Sequence, residues 1–170
     1  CFLLLINLIL TGPNASGKTT FIKTVLINII TTQQFGCGFY ESATQTPFKY
    51  LHSYLNIPDT SGRDSLFQAE ARRCKNILDD ISNNERDKHF CIFDELYSGT
   101  NPDEAEESAT AFMKFISNKK HVRCLLTTHF VTICHNLGDC KNIVNCSMKS
   151  TKQEDKIKYH YLLENCISDV

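Results

Sequence analysis

The sequence predicts an α/β fold, a mostly parallel sheet flanked by helices with an antiparallel addition near the C-terminus. Apolar runs of strand length alternate with segments of helical periodicity along the 170 residues, which we expect to form a single domain over 1–170. A chain of this length buries a sizeable core without disulfides or metals. Its formal net charge of −1 shows no excess of basic residues of the kind that nucleic-acid-binding domains have, so any contact with DNA is expected from domains outside this chain.

The apolar run at residues 1–10 predicts a first strand that is buried on both faces, as in a parallel sheet. The run lacks a basic n-region and a small-residue cleavage site, and it is too short to span a bilayer. We therefore expect no membrane segment. Because the chain begins inside this strand without a methionine, we interpret it as a fragment of a longer protein.

The nine cysteines are odd in number and form no C-x-x-C pair, which indicates reduced thiols in an intracellular protein of the cytoplasm or nucleus. Cys91 and Cys124 lie in apolar runs, where a thiol behaves as a small core residue. An aromatic run suggests either base stacking or core packing, of which we favour core packing. Its members are Phe39, Tyr40, Phe48, Tyr50 and Tyr54.

The remaining elements follow from periodicity and from helix-start signals. Pro102 followed by two acids is typical of a helix N-terminus. Ile157, Tyr159 and Tyr161 alternate with polar residues, which predicts a late strand. The full set comprises helices over 18–31, 65–82, from 102 onward and over 130–137, an extended segment over 47–55, and strands over 89–93, 122–127, 143–148 and 157–163.

The loop after the first strand matches the phosphate-binding pattern G-x-x-x-x-G-K-[ST] at every fixed position. Its residues are Gly12, Pro13, Asn14, Ala15, Ser16, Gly17, Lys18 and Thr19. Glycines let the backbone wrap its N–H groups around an anion, and the helix that follows directs its positive end at the same point. In this pattern Lys18 reaches the β- and γ-phosphates, and the Thr19 hydroxyl binds Mg²⁺. The alternative is a loop that only turns strand into helix.

Two carboxylates, Asp94 and Glu95, end the apolar strand at 89–93. Asp94 at the strand tip is placed to hold Mg²⁺ directly or through water. Glu95 points elsewhere because side chains alternate along a strand, and it is a candidate to polarise the water that attacks the γ-phosphate. The alternative is a pair of solvated acids.

Four blocks of this sequence together resemble the ATPase domain of the DNA mismatch repair MutS family. The loop resembles the Gly-Pro-Asn form of the family's phosphate loop, and the stretch from Asp94 to Thr100 resembles its Asp-Glu-x-x-x-Gly-Thr. The sequence Thr127-Thr128-His129-Phe130 is similar to the Thr-His-aromatic switch. Asp59 and the segment 61–70 resemble the signature segment. The order and spacing of the blocks match, and the resemblance covers about residue 8 to the end.

The resemblance implies an ABC-type P-loop ATPase that hydrolyses ATP with Mg²⁺ and works as a homo- or heterodimer with composite sites. Lys18, Glu95 and His129 would be catalytic, with Glu95 activating water and His129 sensing the γ-phosphate. Ser65 would contact nucleotide bound to the opposite subunit. Nucleotide contacts are also expected from the whole loop and from Thr20, with Asn14 near the γ-phosphate.

Some residues depart from the family pattern. Ala15-Ser16 stands where many members have Met-Gly, and Ser65 lies in Asp64-Ser65-Leu66 where a Ser-Thr pair is familiar. Asn101-Pro102 after the Gly-Thr pair indicates a divergent branch.

Several alternatives remain open from the residues. Ser65 also fits a plain helix N-cap, and His129 fits a capping or core histidine. The chain as a whole also fits a transporter-type or SMC-type ATPase, although it lacks a Leu-Ser-Gly-Gly-Gln signature. A nucleotide-switched binding module with little turnover is a further candidate.

Overall fold

The computed structural model describes residues 6–55, 66–153 and 156–164. The strands are β1 (Asn7–Thr11), β2 (Tyr50–Tyr54), β3 (His89–Asp94), β4 (Val122–Thr127), β5 (Ile143–Gln153) and β6 (Lys156–Glu164). The helices are α1 (Lys18–Phe35), α2 (Leu66–Asn83), α3 (Pro102–Ser117) and α4 (Val131–Asn136).

The described strands form one six-stranded sheet in the order β2-β3-β4-β1-β5-β6. All neighbouring pairs are parallel except β5 and β6, which pair antiparallel. The mixed α/β class, the mostly parallel sheet and the antiparallel addition near the C-terminus are therefore confirmed. Helices connect the parallel strands because a parallel pair needs a crossover connection.

Each central strand contributes side chains to both faces of the sheet, since successive residues alternate. Leu8 and Leu10 pack with Ile22 and Ile29 of α1 on one face. On the other face, Ile9 joins the cluster beneath α2, α3 and α4. The sheet is thus a central layer covered on both sides, which explains why its strands read as continuous apolar runs.

The element boundaries differ from the predicted ones by a few residues. β1 begins at Asn7, and residues 1–5 of the predicted first strand lie outside the described residues. α1 continues to Phe35 instead of 31. It ends there because Gly36 adopts a left-handed conformation with φ of 71° and its N–H bonds to the Thr32 carbonyl, a helix-terminating geometry that glycine favours.

The aromatic run divides between core and surface. Phe48 and Tyr54 are buried, as the core-packing interpretation predicts. For Phe39 and Tyr40 that prediction is wrong, because their side chains are 84% and 38% exposed in the loop that follows α1. Among the cysteines within the described ranges, Cys37 is exposed and Cys140 is half-buried, whereas the other five are buried. Burial raises the pKa of Cys74 to about 11 and of Cys124 to about 12. The buried cysteines are packing residues.

None of the helices in the described part of the chain combines the length and apolar content needed to cross a bilayer.

Candidate functional site

The carboxyl ends of three adjacent strands bring the predicted site residues to one edge of the sheet. β4 lies between β1 and β3, and Thr127 at its end is in register with both Leu10 and Asp94. The loop at 12–19 leaves β1 at this edge. Ligands of open α/β sheets bind outside the carboxyl ends of the strands, so the topology marks this edge as a candidate site.

The loop at 12–19 folds tightly over its own backbone. Gly12 and Gly17 have φ of 147° and 97°, and Ala15 is also left-handed at 64°. A Cβ on Gly12 would lie 2.9 Å from Ser16 Oγ and 3.2 Å from the Met148 Cβ, so only glycine fits there. Ser16 is buried, and its hydroxyl has no hydrogen-bond partner within the described structure. The loop therefore holds an unsatisfied polar group beside its N–H donors.

Asp94 accepts hydrogen bonds from hydroxyls on two other elements. Thr19 Oγ1, in the first turn of α1, lies 3.0 Å from Asp94 Oδ1, and Thr127 Oγ1 also donates to Asp94 Oδ1. Two of these residues were predicted site residues, whereas Thr127 was not. Thr127 reaches Asp94 because the two residues are in register on β4 and β3. In the sequence, only its position directly before Thr128 and His129 could have indicated a role at the site.

Lys18 is folded back onto the loop instead of extending into open space. Its Nζ donates to the carbonyls of Gly12, at 2.8 Å, and Pro13, at 3.2 Å, and its side chain is 5% exposed. Burial lowers the pKa of Lys18, against the opposing effect of the Glu95 and Asp94 charges. The ammonium group is thus held at the loop by neutral acceptors that an incoming anion can replace.

The Glu95 carboxylate lies between the Lys18 ammonium group and the His129 ring. Its Oε1 is 4.0 Å from Lys18 Nζ and 3.5 Å from His129 Nδ1. His129 is exposed, and it follows Thr128, whose hydroxyl caps the next turn by accepting from the Phe130 N–H. The structure therefore brings Lys18, Glu95 and His129 together, and the core-histidine alternative for His129 is excluded by its exposure.

The backbone around Glu95 is in an uncommon conformation. Glu95 and Tyr97 both have positive φ, 53° and 59°. Left-handed residues other than glycine cost on the order of 1–3 kcal/mol each and persist only where surrounding contacts hold them. The Glu95 N–H donates to the Thr127 carbonyl at 3.0 Å, which fixes one side of this turn. Such strain is common where a side chain must be aimed at a site.

A cavity of about 490 Å³ lies beside the loop at 12–19 and Glu95. It is lined by Asn14, Ala15, Ser16, Gly17, Lys18, Thr19, Thr20, Glu95 and Tyr161. Asn14 and Thr20 are exposed at its surface. Its volume is within the range of small-molecule and cofactor sites, roughly 300–1,000 Å³.

Tyr161 also lines the cavity, although its sequence pattern predicts only a position in a strand. Its side chain is 65% exposed, its φ is 55°, and its ring lies 3.2 Å from where a Cβ on Gly17 would be. The sequence gives no local signal for this contact, because β6 reaches the loop through the sheet topology.

A second groove of about 330 Å³ lies between α1 and the loop that follows it. It is lined by Phe21, Thr24, Val25, Asn28, Ile29, Thr32, Phe39, Tyr40, Ser42, Ala43, Thr44 and Gln45. These lining residues, all from the described part of the chain, include no carboxylate, lysine, histidine or cysteine. Lys18, Thr19 and Glu95, by contrast, line the cavity at the strand ends, which is the candidate site.

One part of the predicted site lies outside the described residues. It comprises Asp59 and the first half of the predicted signature segment, residues 61–65, which includes Ser65. Among the described residues, no group of three or more histidine, cysteine, aspartate or glutamate side chains is arranged to hold a metal ion.

The family model for MutS domain V matches residues 8–170. The chain belongs to the MutS family. This match covers both the loop at 12–19 and the strand ends that carry Asp94 and Thr127.

The relatives are MutS-family proteins with different names. The chain is 28% identical over 172 residues to mouse MutS protein homolog 4, and the alignment covers 95% of this chain and 17% of that protein. It is 26% identical over 164 residues to the DNA mismatch repair protein MutS of Pseudothermotoga lettingae, covering 95% of this chain and 20% of the relative. It is 25% identical over 157 residues to the endonuclease MutS2 of Brevibacillus brevis, covering 92% and 20%. This MutS-family chain therefore spans about a fifth of the length of these curated relatives.

Proposed function

We propose that this MutS-family chain is an ATPase domain of the ABC-type P-loop class, which binds ATP and Mg²⁺ in the cavity at the strand ends and hydrolyses ATP. The observation that carries the proposal is the hydrogen bond between Thr19 Oγ1 and Asp94 Oδ1. It joins the end of the 12–19 loop to the acid at a neighbouring strand tip. In P-loop NTPases the same two kinds of side chain hold Mg²⁺ beside the phosphates.

The loop offers the donors that a triphosphate needs. It precedes α1, an 18-residue helix whose positive end favours an anion. Ser16 Oγ has no hydrogen-bond partner among the described residues, so a phosphate oxygen in the cavity would satisfy it and remove the cost of a buried unpaired hydroxyl. Lys18 Nζ would exchange the carbonyls of Gly12 and Pro13 for phosphate oxygens, with which it forms charge-assisted hydrogen bonds.

Mg²⁺ fits the donor set at Thr19 and Asp94. This ion prefers oxygen ligands, uses few protein groups and completes its octahedron with water and phosphate oxygens. A site of one hydroxyl and one carboxylate, without a cluster of three acidic, histidine or cysteine side chains among the described residues, is consistent with that preference. When bound, the ion would neutralise charge on the transferring phosphate.

Glu95 is the group best placed to act on water. Its carboxylate faces the cavity and lies next to Lys18 and His129, so a water that it orients would be close to the γ-phosphate end of the loop. We assign general-base or water-orienting character to Glu95 and γ-phosphate contact to His129. Tyr161, exposed at the rim, presents a ring on which the adenine base can stack.

For the complete protein we propose a role in DNA mismatch repair or recombination. Nucleotide binding would switch a homo- or heterodimer formed through the ATPase face, with Ser65 contacting the nucleotide of the opposite subunit. DNA would be held by domains outside this chain, because the net charge of −1 gives the chain no overall excess of basic residues. The protein would act inside the cell, in the cytoplasm or nucleus.

The test measures ATP binding by calorimetry and phosphate release with Mg²⁺, on the complete protein. Lys18→Ala should weaken ATP binding about 10- to 100-fold, because it removes charged hydrogen bonds to phosphate. The exposed Lys75→Ala on α2 is the matched control and should leave ATP binding intact. Glu95→Gln should keep ATP bound and lose most of the turnover, which traps the ATP-bound dimer.

Two outcomes would contradict the proposal. Full ATP affinity in a folded Lys18→Ala protein would exclude the loop as the phosphate site. Equal rates of ATP loss with and without the Glu95→Gln change would instead support a nucleotide-switched binding module.

A further inference from the structure

Glu70, a buried carboxylate outside the cavity, contacts the turn that follows β3. It lies on α2 and is 2% exposed. Its Oε1 accepts from the N–H and the hydroxyl of Ser98, at 3.1 and 3.0 Å, and its Oε2 accepts from the Gly99 N–H at 3.1 Å. A buried carboxylate without such donors would be strongly destabilising, so the turn and the helix are bound to one another.

Tyr54 extends the contact to a third backbone N–H. Its hydroxyl hydrogen-bonds with Glu70 and accepts from the Tyr97 N–H at 3.4 Å. Burial, together with the Glu70 charge, raises the pKa of Tyr54 well above its ordinary value. Glu70 thus holds three consecutive N–H groups, those of Ser98 and Gly99 directly and that of Tyr97 through Tyr54.

Close packing reinforces these hydrogen bonds. A Cβ on Gly99 would lie 2.6 Å from Leu66 Cγ and 2.9 Å from Leu66 Cβ, so the turn sits directly on the first residue of α2. The ring of Phe67, one residue further along α2, lies 5.8 Å from the Tyr97 ring, centroid to centroid. The turn at 95–99 therefore packs against the first turn of α2.

We propose that Glu70 is a positioning residue for ATP hydrolysis, which keeps the turn at 95–99 in the conformation that directs Glu95 toward Lys18 and His129. This inference rests on the proposed ATPase function. The turn contains two non-glycine residues with positive φ, so it does not adopt this conformation by local preference alone. Thr127 holds it at the Glu95 N–H, and Glu70 holds it at residues 97–99.

The experiment compares Glu70→Gln with the unmodified complete protein and with Glu107→Gln, a matched change at an exposed glutamate of α3. The glutamine amide turns an acceptor into a donor that faces backbone N–H groups. We expect kcat for ATP hydrolysis to fall about 10- to 100-fold, as displaced catalytic groups typically cause. ATP affinity should stay close to that of the unmodified protein. Hydrogen exchange of the Ser98 and Gly99 amides should accelerate, and Glu107→Gln should change none of these quantities.

Ser98→Ala provides a second variant that removes only one hydroxyl donor and keeps the carboxylate, for use if Glu70→Gln does not fold. Ser98→Ala should lower kcat several-fold at unchanged ATP affinity. Glu70→Asp keeps a carboxylate, so its kcat should be higher than that of Glu70→Gln.

The results separate this inference from the ATPase proposal. If the unmodified protein hydrolyses ATP and Ser98→Ala or a folded Glu70→Gln hydrolyses it equally fast, Glu70 does not position Glu95. The same conclusion follows if affinity and kcat fall together in proportion to lost thermal stability, because that pattern describes a structural residue. Absence of turnover in the unmodified protein would instead remove the ATPase proposal.

Discussion

Asp94 is the residue on which the candidate site converges. Its carboxylate accepts hydrogen bonds from hydroxyls on α1 and β4, so these two elements and β3 meet at one side chain. Thr19 is expected to bind the metal ion, whereas the hydroxyl of Thr127, a fully buried residue, orients the carboxylate. Removal of a group that orients a metal-binding side chain typically lowers metal affinity roughly 10- to 100-fold.

Thr127→Val should therefore raise the Mg²⁺ concentration needed for half-maximal ATP hydrolysis by about tenfold, because Asp94 loses one of its two donors. The change conserves shape, and valine is favoured in a strand. Thr110→Val is the matched control, since the Thr110 hydroxyl is also buried but has no partner within the described structure. A Mg²⁺ titration of the two variants decides the point, and the same midpoint in both would show that Thr127 does not orient Asp94.

At the scale of the element, α3 shows how local chemistry starts a helix directly after the site. Asn101 is the N-cap, and its side chain accepts from the Asp103 N–H at 3.0 Å. Pro102 occupies the first helical position, where its missing N–H costs nothing. Asp103 and Glu104 lie in the first turn, where acidic side chains interact favourably with the helix dipole. These features agree with the predicted start.

Asn101→Ala should lower the free energy of unfolding by about 1 kcal/mol, because one N–H of the first turn loses its acceptor. Asn101→Ser keeps a capping oxygen and should cost much less. Urea denaturation of both variants measures the difference. Equal destabilisation by alanine and serine would mean that the side-chain cap contributes little.

At the scale of the whole molecule, a buried histidine pair lies on the outer strand β2 and its neighbour β3. His52 Nε2 and His89 Nδ1 are 3.0 Å apart across β2 and β3, and His89 Nε2 lies 3.1 Å from the Asn84 carbonyl. A carbonyl only accepts, so in the neutral pair His89 Nε2 carries its proton and His52 Nε2 donates to His89. Burial lowers the pKa of His52, as does His89, while Asp80 opposes this shift and Arg73 adds to it.

This pair predicts a loss of stability in mild acid. Above the ordinary histidine pKa of 6.5, both the folded and unfolded states are neutral at His52, so the stabilising contribution is complete. As the pH falls through 6.5, the unfolded state takes up the proton first, and the free energy of unfolding decreases until the lowered folded pKa is reached. Burial also lowers the pKa of His121, which adds a change of the same sign.

Urea denaturation between pH 7 and pH 5 measures this effect. His52→Gln keeps a donor for His89 but does not titrate, so its stability should fall less steeply with acid than that of the unmodified protein. Parallel curves for the two proteins would show that His52 is not responsible.

The sequence by itself determined the parts of this protein that depend on neighbouring residues. The loop at 12–19, the acids after β3 and the start of α3 were predictable, because glycine conformations, strand alternation and helix caps act over a few positions. The alternation of strands and helices likewise gave the mostly parallel sheet, since parallel strands require crossover connections.

Only the tertiary structure decided which distant groups meet these segments. Thr127 reaches Asp94 from 33 residues away, and Glu70 reaches Ser98 across 28 residues. Tyr161 borders the loop because β6 closes the edge beyond β5. Even Lys18, whose position in the loop was predicted, turned out to be folded onto carbonyls that compete for its ammonium group. Such contacts depend on strand order, register and burial, which are set by the packing of the whole chain, so no local pattern encodes them.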